Sequence, residues 1–109
     1  MSKVKSHLGL AMRAGKLITG DEIVLKAVRA GQAHLVIVAG DASENTKKKF
    51  RDKCHTYNVP LAIGFDRGTL GECIGKAERV VLAVTDPGFY RMISKEMLIL
   101  SEVEYIEQR

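Results

Sequence analysis

The sequence predicts an α/β fold: a three-layer α/β/α sandwich around a central sheet of about four strands. Three observations lead there. Amphipathic helical stretches alternate with short apolar runs, the pattern of helices layered on a sheet. The run His34–Gly40 reads His-Leu-Val-Ile-Val-Ala-Gly, which suits a strand covered on both faces. A chain of 109 residues can bury one hydrophobic core but not two, so a single domain over 1–109 is expected.

From Lys3 to Ala14, the apolar residues Val4, Leu8, Ala11 and Met12 recur every three or four positions, with Lys5, His7 and Arg13 between them. That spacing predicts an amphipathic helix, ended by Gly15. Leu17-Ile18-Thr19 is a short strand before a helix that opens at Gly20. In that helix Ile23, Ala27 and Ala30 form an apolar stripe with Val24 and Val28 beside it. Glu22, Lys26 and Arg29 fall on the other side, and Gly31 stops the helix.

After the strand His34–Gly40, Asp41 and Ser43 both offer helix starts, with Asp41 and Glu44 at capping-box spacing. The helix to Asn58 should bury Phe50, Cys54 and Tyr57 and expose Lys47, Lys48, Lys49, Arg51 and Lys53. Val59-Pro60 ends it, and Leu61–Phe65 is the next strand. A helix from about Thr69 to Ile74 and a strand from Arg79 to Val84 follow. Asp86-Pro87 supplies the N-cap and first position of a last helix, which turns Phe89, Met92 and Ile93 inward. Residues 96–109 read as an acidic extension.

Composition narrows the function. Aromatics make up 6% and Trp is absent, so the core is aliphatic and a ring-stacking platform for single strands is not expected. Lys and Arg outnumber Asp and Glu by 17 to 13. The segment Glu96–Arg109 holds four acids against one base, so residues 1–95 carry 16 bases against 9 acids, a net +7. Such a body attracts polyanions. Cys54 and Cys73 form no C-x-x-C pattern and are expected as free thiols. Nothing approaches a membrane-spanning apolar length, and no long apolar run follows Met1–Lys5. A cytoplasmic protein without a signal peptide is therefore expected.

Enzymatic readings find little support. Gly71 and Gly75-Lys76 superficially resemble a phosphate loop, but three residues separate the glycines where four are needed, and Ala77 replaces the magnesium-binding hydroxyl. His7, His34 and His55 are scattered, so no metal or cofactor is expected. Asp41, Asp66 and Asp86 each follow a strand. They are preferred as helix caps, with a small hydrolase using Asp41 or Asp86 as the alternative. No other catalytic residue is expected.

Nucleic-acid binding uses what is present. A helix opening at Gly20, after Thr19, offers the unpaired N–H groups of its first turn (Asp21, Glu22, Ile23) and a positive dipole end to a phosphate. Lys16, Lys26 and Arg29 add charge. Glu22 repels phosphate but can accept hydrogen bonds from base amino or imino groups; alternatively it forms an ion pair with Lys26 on a solvated face. The second segment is Gly75-Lys76-Ala77-Glu78-Arg79. Gly75 permits a backbone turn closed to other residues, and Arg79 can make a bidentate phosphate or guanine contact. If both segments lie on one edge of the fold, they make an RNA-sized site.

Four blocks in order carry a resemblance. They are Thr19-Gly20 through Lys26-Ala27-Val28-Arg29 and Gly31; His34–Ala39 with Asp41-Ala42; Leu70-Gly71 with Gly75-Lys76; and Arg79-Val80-Val81 with Thr85-Asp86-Pro87-Gly88. Together they resemble the ribosomal L-seven-Ae superfamily of kink-turn RNA-binding proteins. The run Asp41–Lys49 is closer still to its bacterial YlxQ branch. The resemblance covers roughly residues 7–94. It implies an α/β/α sandwich that binds a sharply bent RNA with tandem sheared G·A pairs beside a short bulge. By resemblance, the Gly20 helix end enters the widened groove, Lys26 meets backbone and guanine, and the loop Gly75–Arg79 covers the bulge. Where many members have Asn-Glu or Lys-Gln, this chain has Glu22-Ile23; Ile23 cannot hydrogen-bond through its side chain and Glu22 cannot donate. The resulting expectation is a monomeric, non-catalytic binder of structured RNA, a kink-turn or ribosomal RNA, with the ribosome as a candidate partner. Neither DNA nor a membrane is expected as partner. The alternative is an RNA chaperone or assembly factor without kink-turn preference.

Overall fold

Two continuous apolar runs, Leu35–Val38 and Val81–Val84, are buried along their whole length and form the middle of a mixed sheet. The computed structural model describes residues 3–108. Met1, Ser2 and Arg109, the single base of the acidic segment, lie outside the described residues. In chain order the elements are α1 (Lys3–Arg13), β1 (Leu17–Thr19), α2 (Asp21–Arg29), β2 (Leu35–Val38), α3 (Glu44–Tyr57), β3 (Leu61–Ile63), α4 (Arg67–Cys73), β4 (Val81–Val84), α5 (Pro87–Met97) and β5 (Glu104–Ile106).

The strands lie in the order β1-β4-β2-β3-β5. Only β2 and β3 are parallel, joined by the α3 crossover; the other neighbours are antiparallel. Helix α1 packs on α4 and α5, and α2 packs on α3. These two helical layers cover both faces of the sheet, which is why its central strands are apolar without alternation. The α/β/α sandwich is the fold the sequence predicts.

Local chemistry sets the helix ends. The Ser43 hydroxyl accepts the N–H of Thr46 at 3.1 Å, and Asn58, in the left-handed region at φ 60°, closes α3. Asp66 caps α4 through the N–H of Thr69 at 2.7 Å. Asp86 caps α5 through Phe89 at 2.9 Å, with Pro87 at the first position.

Several expectations are corrected. The sheet has a fifth strand: Glu104–Ile106 adds antiparallel to β3, pairing Leu61 with Ile106 and Ile63 with Glu104. The acidic segment is thus built into the fold, and Glu96 and Met97 belong to α5. Gly64 makes this docking possible, because a Cβ there would stand 2.8 Å from the Val103 side chain. The Arg51 guanidinium then grips the Glu104 carboxylate at 2.8 and 3.0 Å. Asp41 does not cap α3; Ser43 does, and Asp41 turns to α4 instead. Helix α4 begins at Arg67, ahead of Thr69, and β4 begins at Val81, beyond Arg79. On α2 the buried face is Val24, Ala27 and Val28, while Ile23 and Ala30 face solvent. Tyr57 and Met92 are likewise exposed, and Lys47, Lys49 and Lys53 are half-buried rather than fully solvated. On α2 the difference arises because the buried stripe is narrower than, and rotated from, the apolar one.

Candidate nucleic-acid interface

The register of the sheet decides where the two glycine segments go. Thr19 at the end of β1 pairs with Leu82 near the start of β4, and Gly20 donates its N–H to the Val81 carbonyl at 3.2 Å. The opening of α2 and the loop leading into β4 therefore meet at one edge. The turns after β2 and β3 join them there. Ala39 donates to Val80 at 2.8 Å, Gly40 to Phe65 at 2.7 Å, and Gly64 to Val38 at 3.1 Å.

Gly20 has φ 105° and ψ 141°, a conformation that L side chains rarely adopt. Unlike α3, α4 and α5, helix α2 has no side-chain cap. Among the described residues no acceptor meets the first-turn N–H groups of Asp21, Glu22 and Ile23. They point, with the positive end of the helix dipole, off the edge of the sheet. Asp21 is held from the side by Lys49 of α3, its carboxylate 2.8 Å from the ammonium, so part of the negative charge beside the helix opening is offset.

Glu22, Ile23 and Lys26 share an exposed face of α2. Among the described residues no ion pair links Glu22 to Lys26, and both side chains are exposed. Ile23 is 58% exposed and lies outside the buried stripe of α2.

The second segment is tied down at several points. Gly75 sits at φ 71°. Lys76 donates its N–H to Gly71 at 2.9 Å, and Arg79 donates its own to Arg67 at 3.1 Å. Gly71 lies so close under the loop that a Cβ there would clash with the Ala77 carbonyl oxygen. The Arg79 guanidinium folds back on the carbonyls of Glu78 at 2.8 Å and Ala77 at 3.2 Å. Lys76, Ala77 and Glu78 stand out at the tip.

Thr19, Gly20, Asp21, Glu22, Ile23, Lys26 and the loop Gly75 to Arg79 thus gather along one side of the fold. Lys16 and Arg29 do not. The Lys16 carbonyl accepts from Thr85 beyond the opposite end of β1, and Arg29 ends α2, about 12 Å along the helix axis from Asp21. Arg67 and Lys49 also belong to this edge, as does Asp41, which the sequence offers as a helix cap or hydrolase carboxylate rather than as part of an RNA site. The only local signal of Arg67 and Lys49 is charge, and turns distant in sequence bring the three together. Asp41 and Asp86, the hydrolase candidates, have their carboxylates committed to the N–H groups of Arg67 and Phe89. No cluster of three metal-ligating side chains occurs among the described residues.

Comparison with known proteins agrees with this architecture. The model of the ribosomal protein L7Ae/L30e/S12e/Gadd45 family matches residues 2–94. The chain belongs to this family. Among L7Ae-family relatives, the RNA-binding protein YlxQ of Bacillus subtilis (strain 168) is 51% identical over 82 residues, 75% of this chain and 82% of the relative. YlxQ of Enterococcus faecium is 46% identical over 96 residues, covering 88% and 91%. The large ribosomal subunit protein eL30 of Branchiostoma belcheri is 34% identical over 94 residues, covering 81% and 79%. A solved structure of a protein of unknown function from Bacillus halodurans superposes with a TM-score of 0.85 at 49% identity, over 87% of this chain and 96% of that one. The bacterial YlxQ-like branch is where this L7Ae-family chain falls. The family match ends at Ser94, within α5, so β5 lies beyond it.

Proposed function

We propose that this L7Ae-family protein is a non-catalytic binder of structured RNA that uses the edge formed by the α2 opening and the Gly75–Arg79 loop. The observation that carries the reading is the Gly20–Val81 hydrogen bond, which puts an uncapped helix end and a braced cationic loop side by side. Free N–H groups at the α2 opening, with Lys26, Lys76 and Arg79, suit phosphate and sugar, while the acceptor Glu22 suits base amino and imino groups. A kink-turn fits this chemistry: its bend crowds phosphates, and a small cationic wedge offsets their repulsion. The name of the YlxQ relatives supports RNA as the ligand, and that of eL30, a large ribosomal subunit protein, motivates the ribosome as a candidate partner. Cytoplasmic location and a monomeric state complete the reading.

A gel-shift series tests it. A kink-turn RNA should bind, and the same RNA with its G·A pairs replaced by Watson–Crick pairs should bind far more weakly. Equal affinity for both favours the chaperone reading, for which the Glu22-Ile23 pair is the specific motive, since Ile23 offers no side-chain hydrogen bond.

A further inference from the structure

We infer that Asp41 is a positioning residue for RNA binding, acting through Arg67 on the loop that ends at Arg79. The inference rests on the RNA-binding reading above and adds to it a residue that touches no ligand in that reading.

Three contacts join the turn after β2 to the start of α4. The Asp41 carboxylate accepts the Arg67 N–H at 3.0 Å, the Arg67 guanidinium donates to the Asp41 carbonyl at 2.6 Å, and its Nε lies 3.5 Å from the second carboxylate oxygen. Arg67 in turn accepts the N–H of Arg79 through its carbonyl at 3.1 Å. A continuous chain therefore runs from Asp41 through a single residue to the root of the loop. As an exposed ion pair Asp41–Arg67 would contribute little to stability, so its use lies in geometry. The turn it braces contains Phe65 at φ 59°, a left-handed conformation that a bulky residue keeps only when its surroundings fix it. The Gly40–Phe65 hydrogen bond fixes one side of that turn and the Asp41–Arg67 latch fixes the other. Released at Asp41, α4 can shift, and the loop packed on Gly71 and tied to Arg67 shifts with it.

Electrostatics alone predicts the opposite sign. Removing a carboxylate from an RNA-facing edge should tighten binding, whereas loss of the latch should weaken it. The test measures affinity for a kink-turn RNA hairpin in wild type, Asp41→Ala, Asp41→Asn, Arg79→Ala and the Asp41→Ala/Arg79→Ala double variant. Glu44→Gln serves as a control that removes the same charge from a nearby exposed position, and circular dichroism checks folding. Asp41→Ala should weaken binding roughly 5- to 20-fold, with the double variant weaker than Arg79→Ala alone by much less than that factor. Asp41→Asn, which keeps an oxygen for the Arg67 N–H, should recover part of the loss, and Glu44→Gln should bind as wild type or tighter. Unchanged or tighter binding by Asp41→Ala overturns the inference, as do losses that multiply in the double variant. If Asp41→Ala does not fold, Asp41→Asn decides on the same criteria. Wild-type binding with no loss in Arg79→Ala removes the loop from the site and the inference with it; absence of binding by wild type refutes the RNA reading itself.

Discussion

Gly20 and Val81 are joined by a hydrogen bond from the Gly20 N–H to the Val81 carbonyl, at 3.2 Å. It fastens the opening of α2 to the first residue of β4, and so places two segments far apart in sequence on one edge. The L7Ae-family fold makes this unavoidable once β1 and β4 pair antiparallel with Thr19 opposite Leu82.

Lys26→Ala should weaken RNA binding by about 1–3 kcal/mol and leave the melting temperature nearly unchanged. The ammonium is exposed and makes no ion pair with Glu22, so its removal takes nothing from the fold. Parallel titration and thermal melts separate the two effects; a lowered melting temperature with intact binding would make Lys26 structural.

Gly71→Ala should destabilise the protein by about 1–3 kcal/mol and impair RNA binding in the fraction that remains folded. The added methyl would run into the Ala77 carbonyl oxygen, so either α4 or the loop must move. By contrast, the Cβ of Gly75→Ala meets no neighbouring atom, and that variant suffers only from its φ of 71°. Urea melts of both variants distinguish a clash from backbone strain.

Two groups contribute to the acid and base limits of stability. The Arg51 guanidinium, by hydrogen bonding, holds the Glu104 carboxyl below its ordinary value of 4.5. A depressed carboxylate stabilises the fold above its unfolded value and loses that contribution as pH falls through the lower folded value. Docking of β5 should therefore loosen below about pH 4.5. Burial pushes the Cys54 thiol up to about 12 from 9.0. Here the unfolded chain ionises first, so stability should decline from about pH 9 toward 12. A pH series of thermal melts checks both flanks, and Glu104→Gln should make the acid one shallower, with Asp66, also held low by its hydrogen bonds to Thr69, supplying the remainder.

Much of the fold was legible because it rests on local rules. The apolar runs of β2 and β4, the Asp66 and Asp86 caps and the glycine stops all follow from short stretches of sequence. β5 was hidden because Glu104-Tyr105-Ile106 is too short for periodicity and is held by distant partners, Arg51 and Gly64. At the candidate site, Gly20, Lys26 and the Gly75–Arg79 loop are proposed from residue type, whereas Asp41, Arg67 and Lys49 join them only through contacts between elements. The apolar character of Ile23 predicts a core position that the structure does not give it. The buried stripe of α2 is centred on Val24, Ala27 and Val28 and leaves Ile23 outside.

The central claim is that this edge binds bent, G·A-paired RNA, and its most direct test is affinity for a kink-turn RNA with and without its tandem G·A pairs, measured from about 50 to about 200 mM salt. The expected result is strong preference for the intact kink-turn at every salt concentration and a steep fall in affinity as salt rises. Equal affinity for the two RNAs, or an affinity indifferent to salt, would contradict it.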